Sequence, residues 1–323
     1  MLAKRRALRL NGVEIERTPL LIPSFSSKGF PEVKKIVEYS TELIEDVTLV
    51  SAYDLHYGNI ELPPNLAPLI FLDSGGYEAS KDAELSDYGD KEHVRREWNQ
   101  KFHEAQLVRW DPGVPSVLIS YDHPDERISL PAQIERARAM APGKTGVLRE
   151  FLIKPETTEQ IRIQIEPVLR NIHGLAHFDV IGVTEKELGP SIIKRMRNIA
   201  KLRIALNKAG LDTPIHVFGS LDTVTTPMYF LAGADIFDGL TWLRFAFHEG
   251  LTIYKQNYGG LKLGVTTPVD VVDGLCWNNN YRYMKLMELE MRRFLQEGKF
   301  ECFKYHPEQF REACEAVVEA EGA

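Results

Sequence analysis

The feature that most restricts the fold is an alternation. Eight short apolar runs, at about residues 20–25, 48–53, 69–73, 116–121, 150–153, 180–184, 215–218 and 235–240, are each bounded by turn residues. Most are followed by a segment whose apolar side chains recur at helical spacing: 31–43, 92–107, 131–140, 157–171, 190–209 and 223–231. An irregular passage, 79–90, follows the third run. Runs that are apolar throughout predict strands buried on both faces, which is the signature of a parallel sheet covered by helices. Eight such units in about 250 residues fit a closed (β/α)8 TIM barrel better than a doubly wound sheet. The missing glycine-rich dinucleotide and P-loop fingerprints point the same way. The expected organisation is a catalytic barrel over 1–250 and a helical extension over 251–323, packed on the barrel. That extension includes a Gly-Gly segment, an Asn-rich turn at 278–280 and two charged helices.

Composition narrows the function. With 44% hydrophobic and 26% charged residues the chain reads as a soluble globular protein. Lys4, Arg5 and Arg6 are not followed by an apolar stretch, and no run approaches the roughly 18 residues of a membrane span. A cytoplasmic protein with no membrane partner is therefore expected. Cys276, Cys302 and Cys314 are too few and too scattered for a disulfide framework or a paired-cysteine zinc site, so neither metal nor cofactor is expected. A net charge of −7 excludes a general polyanion binder but leaves room for a local basic face. Lys194, Arg195, Arg197, Lys201, Arg203 and Lys208 fall on one predicted helix, and Arg292 and Arg293 on another. Such a run becomes a phosphate-binding surface only if it lies beside the active site.

In a barrel of this kind the chemistry sits at the C-terminal ends of the strands. Those ends carry Tyr53-Asp54, Asp73, Asp122-His123, Lys154, Gly182, Gly219 and Asp238; Asp73, Asp122, Asp238 and Lys154 bring three carboxylates and a lysine to one opening. The third run is the plainest case. Phe71-Leu-Asp-Ser-Gly-Gly-Tyr77 ends an apolar strand on a carboxylate and then turns on two glycines, which leave the adjoining wall thin.

These residues match a family. FLDSGGYE, SYDHP, VIGV and HVFGSLDTVTTPMYFLAGADIFDGLTWLR resemble the catalytic barrel of the tRNA-guanine transglycosylases, a superfamily that includes DNA-modifying 7-deazaguanine transglycosylases. The likeness spans roughly residues 18 to 250, with LLIPSFSSKG and TLVSAYDLHYGN where that family has its first barrel strands. It implies exchange of guanine in tRNA or DNA for a 7-deazaguanine-type base. By the family's pattern Asp238 is the nucleophile, trapping an oxocarbenium-like sugar covalently, and Asp73 is the general acid/base. The resemblance makes Asp122 the acceptor for the guanine N1–H and amine, and Gly182 a backbone donor to O6. It also implies that Tyr77 covers the base plane, that Gly219 and Lys154 contribute to the base site, and that Arg244 faces phosphate or the neighbouring nucleotide. Glu185 or Glu187 would line the pocket floor. A homodimer is a further implication, since relatives are often dimers.

Three departures are visible, the first being that LTWLRFAFHEG, after Asp238, lacks the family's usual proline and small residues. Lys154 stands where the family usually has glutamine, and the family's zinc motif, three close cysteines and a distant histidine, has no counterpart. Two other readings remain open at this level: a base-binding partner subunit without catalysis, and an unrelated barrel lyase or hydrolase holding a divalent metal near His56, His123 and His216.

Overall fold

Each of the eight apolar runs forms a strand of one parallel sheet in the computed structural model, which describes residues 2–62, 66–81, 93–123, 125–141 and 143–321. A hairpin of β1 (Ala7–Leu10) and β2 (Val13–Arg17) precedes it. The sheet strands are β3 (Leu20–Pro23), β4 (Val47–Ser51), β5 (Leu69–Asp73), β6 (Ser116–Ile119), β7 (Val147–Ile153), β8 (Val180–Thr184), β9 (Ile215–Phe218) and β10 (Ile236–Gly239). A second hairpin, β11 (Phe245–His248) and β12 (Leu251–Tyr254), follows. The sheet runs β3-β10-β9-β8-β7-β6-β5-β4. Its first and last strands meet at a parallel bridge between Ser24 and Leu49, with the Phe25 N–H donating to Leu49 O at 3.2 Å. The fold is a TIM-like α/β barrel with C-terminal helices.

Strand periodicity sorts side chains into two layers. Leu20, Ile22, Leu49, Phe71, Val117, Leu152, Val180 and Ile236 point into the barrel and form one apolar cluster, which Leu8, Leu10 and Ile15 of the first hairpin extend. Their neighbours Leu21, Val50, Leu72, Leu118, Ile153, Ile181, Val217 and Phe237 belong to the larger cluster shared with the helices. Both layers are apolar, which is why the strands read as unbroken runs.

Helix boundaries differ from expectation in instructive places. The segment 92–107 becomes helical only from Gln100, where the Asn99 side chain accepts from the Phe102 N–H at 3.1 Å. Glu92, and 82–90 of the irregular passage, lie outside the described residues. The helix expected from Thr157 begins at Ile165 and gives way to a 3-10 turn, Ile172–His177. The Asn-rich turn expected at 278–280 is instead the middle of the longest helix, Val269–Glu297. Asn280 is fully buried there. Its Oδ1 accepts from the Phe247 N–H at 2.7 Å, and its Nδ2 donates to the carbonyls of Trp242 and Phe245, each at 2.7 Å. Its polarity satisfies the backbone of the second hairpin rather than breaking a helix.

That helix also packs on β3: Glu288 Oε1 accepts from the Leu21 N–H at 2.8 Å, while Lys285 and Tyr281 bond Asp46 just before β4. Residues beyond 250 therefore supply part of the barrel's outer layer. The helix Ile192–Lys208 runs down the flank. Near its start Arg195 pairs with Glu185 past the end of β8 at 2.8 Å, and further on Arg203 is buried against Asp235 at the foot of β10 at 2.5 Å. Of its six basic residues Lys194 and Lys208 are exposed, Arg195, Arg197 and Lys201 are half-buried and Arg203 is buried.

Candidate active site

At the C-terminal ends of the strands lies a cavity of about 450 Å³. It is lined by Asp73, Asp122 and Asp238 together with Lys154, Tyr77, Gly219 and Arg244. Gly182 is not among the lining residues. It sits in mid-β8, with no room on its inner face: a Cβ there would lie 2.6 Å from Glu150 Oε1 and 2.7 Å from Phe218. A larger groove, about 900 Å³, runs along the flank between the helices Val33–Ser40 and Val269–Glu297, but Lys35 and Asp273 there pair with Glu32 and Lys255 respectively.

Asp73 ends β5 pointing inward, and its carboxylate accepts from the Gly75 N–H at 3.2 Å. Burial, and then the nearby negative charges of Asp238 and Asp122, outweigh the backbone bonds and push its pKa up to about 7. Such a carboxyl is poised to give and take a proton near neutral pH. Asp238, on β10, is held differently. The Ser24 hydroxyl donates to Oδ2 at 2.8 Å, the Gly219 N–H donates to Oδ1 at 3.0 Å, and His216 Nε2 stands 3.3 Å from Oδ1. Trp242 steadies Ser24 in turn, its indole N–H donating to the Ser24 carbonyl at 3.0 Å.

The third carboxylate belongs to an ionic cluster. Arg127 Nη1 lies 2.5 Å from Asp122 Oδ1, and Lys154 Nζ lies 3.3 Å from Asp122 Oδ2 and 2.7 Å from Glu187. Lys154 also donates to Thr184 Oγ1 at 3.1 Å. Burial pushes the Asp122 pKa up, but Lys154 and Arg127 outweigh it and hold the group below the ordinary carboxylate range. Asp122 is thus ionised while Asp73, in the same cavity, is half protonated near neutrality. The two glycines of the DSGGY turn do not leave an open wall. Gly75 has φ +83°, and a Cβ on Gly76 would meet Asp122 Oδ2 at 2.8 Å, so this bend is where the turn and Asp122 pack together.

At the cavity's rim Lys28 donates to the carbonyls of Tyr77 and Ser80, both at 3.1 Å, and lies 4.7 Å from the Tyr77 ring centre. Arg244 Nη2 donates to the Tyr77 hydroxyl at 2.8 Å, fixing the ring at the cavity's edge. Glu78, the residue after Tyr77, is buried and accepts from Ser26 and Ser51 hydroxyls at 2.5 and 2.8 Å. Burial, then Asp54 and Asp73, push its pKa up to about 8. Asp54 itself is structural: it accepts from the Ser27 N–H at 2.8 Å and the Asn59 amide at 2.9 Å.

Sequence reasoning did not single out Arg127, Ser24 or Glu78. Each had a signal of sorts, since Ser24 and Glu78 lie inside the quoted motifs and Arg127 stands five residues after Asp122. Glu185 and Glu187 both line the cavity. The histidines considered for a metal have other partners: His56 stacks on Phe102 with centroids 4.9 Å apart, His123 stacks on Tyr121, and His216 turns to Glu150. Among the described residues no three His, Cys, Asp or Glu side chains converge as metal ligands would, and no helix is long and apolar enough to cross a membrane.

Compared with known families and with curated proteins, the chain matches no family model and no curated relative. The fold and the site therefore stand on their own geometry.

Proposed function

We propose that the chain is a pentosyltransferase of the guanine transglycosylase type, exchanging guanine in a nucleic acid for a 7-deazaguanine-type base. The observation that carries this reading is the pair of strand-end carboxyls in one cavity with opposed environments. Asp73 has its pKa raised to about 7 by burial and by its charged neighbours, while Asp238 is engaged by a hydroxyl, a backbone N–H and an imidazole. Divided acid/base and nucleophile roles require this asymmetry.

In the proposed reaction a carboxylate oxygen of Asp238 attacks the anomeric carbon as the bond to guanine N9 breaks and its electron pair leaves with the base. Protonated Asp73 supplies the proton that the departing guanine takes up. The carboxylate then removes the ring N–H proton of the incoming base, whose nitrogen attacks the anomeric carbon and releases Asp238. Each Asp122 oxygen facing its cation keeps a second lone pair, enough to accept the guanine N1–H and exocyclic amine. Lys154, with three oxygens within 3.3 Å, supports this by fixing Asp122 rather than by replacing a glutamine donor. Tyr77, braced by Lys28 and Arg244, offers an aromatic face to a purine. Gly182 has no part in base contact in this scheme, since it lies below the cavity.

Incubation with labelled guanine and either tRNA or duplex DNA, followed by recovery of the polymer, tests the reading. Label should enter one of the two, and an adduct resistant to denaturation should form with wild type and vanish in Asp238→Asn. Absence of both label and adduct with both polymers would refute it.

A further inference from the structure

One layer beneath the cavity lie two titratable groups that the proposed reaction does not use. Glu150 projects inward from β7 and His216 from β9, and both are fully buried. Their strands are not neighbours, because β8 runs between them. Even so, His216 Nδ1 stands 2.9 Å from Glu150 Oε1. The contact exists because β8 presents Gly182 at the crossing point, where any Cβ would collide with Glu150 Oε1 at 2.6 Å. On its other side the imidazole faces Asp238, with Nε2 at an ion-pair distance of 3.3 Å from Oδ1 and making no hydrogen bond among the described residues. Phe218 stacks on the ring with centroids 3.9 Å apart, and Phe71 meets it edge-on at 5.6 Å. An ion pair sunk in an apolar barrel is a weak source of stability, because desolvation offsets most of the attraction. Three strands have nonetheless been shaped around it.

We propose that Glu150 and His216 are positioning residues for Asp238: Glu150 holds the imidazole with a proton on each nitrogen, and the Nε2–H, facing Oδ1, fixes the Asp238 carboxylate in its reactive rotamer. The proposal rests on the reading of Asp238 as the nucleophile. Burial alone would lower the His216 pKa, but Glu150 and Asp238 outweigh it and raise it to about 9. These two carboxylates are the titratable groups acting on the ring, and above them the Asp238 charge is among the causes that raise the Asp73 pKa.

The test uses readouts that need no substrate. In the wild type, ¹⁵N spectra of histidine-labelled protein, with the His216 signal assigned by its loss in H216Q, should show a doubly protonated ring at pH 8. A neutral ring at that pH overturns the proposal. Carboxylate-selective labelling of Asp238, read by peptide mass spectrometry across the acid range, gives its protonation midpoint. Loss of the facing positive charge in the isosteric E150Q, or in H216Q, should raise that midpoint by about one pH unit or more. The acid limb of adduct formation should move with it, so that E150Q regains wild-type rates above its new midpoint. Folded variants with an unmoved midpoint overturn the proposal. If the midpoint moves but no guanine polymer ever forms an adduct, the positioning stands and the transglycosylase reading is what fails.

Discussion

Replacing Asp73 by asparagine should stabilise the protein in a pH-dependent way. The Asp73 carboxyl ordinarily titrates near 3.8, and in the folded chain its pKa stands at about 7. Because the folded pKa is the higher one, the native state binds more protons than the unfolded chain between those values. Wild-type stability is then lost as pH rises through that window, and the loss is complete above pH 7. At 1.36 kcal/mol per pH unit, the ceiling on that loss is about 4 kcal/mol. Asparagine keeps the shape and has no charge to desolvate, so the variant's advantage should be smallest at pH 4 and approach the ceiling by pH 8.5. Glu78 acts in the same direction, because Asp73 is one of the charges raising its pKa to about 8 and the substitution removes that charge. Urea unfolding at pH 4, 5.5, 7 and 8.5, compared at equal slopes, measures the difference. An advantage that does not change with pH would refute the assignment of Asp73 as a carboxyl whose charged form is disfavoured by burial. The same variant should lose base exchange at every pH, a cost in function for a gain in stability.

Two further outcomes follow from the polar clusters. Arg127→Met leaves Asp122 and Glu187 sharing Lys154 alone, and should cost on the order of 3 kcal/mol in chemical denaturation and abolish guanine binding in calorimetry. Asn280→Ala removes the acceptor of the buried Phe247 N–H and the donors to two carbonyls, and should lower stability by about 2–4 kcal/mol without moving the pH dependence of activity.

The strands were legible because a parallel barrel buries both faces of each one, and LLI, VTLV, LIFL and VIGV state that burial directly. The strand-end carboxylates were legible for the complementary reason, since a charge just after such a run has only the mouth to occupy. Boundaries set by tertiary partners were not. Asn280 reads as a turn former until the hairpin whose backbone it satisfies is in place, and Arg127 reads as a loop residue until the loop folds back on Asp122. The six basic residues on one predicted helix could not be sorted by spacing alone, since Arg195 is engaged by Glu185 and Arg203 is buried against Asp235.

Glu150 and His216 lay in view throughout, in REFLI and IHVF, as charged or polar residues at inward positions of largely apolar strands. Alternation alone puts both on the inner face, because Leu148 and Leu152 flank Glu150 at intervals of two, and Phe218 lies two beyond His216. What alternation cannot supply is which inward residues share a layer. That depends on the stagger between strands, and here on Gly182, whose missing side chain lets Glu150 reach across β8. The glycine that motif likeness assigned to the base therefore has a use one layer lower. It joins the barrel's interior to Asp238, so the carboxylate at the mouth is governed from below as well as from the cavity.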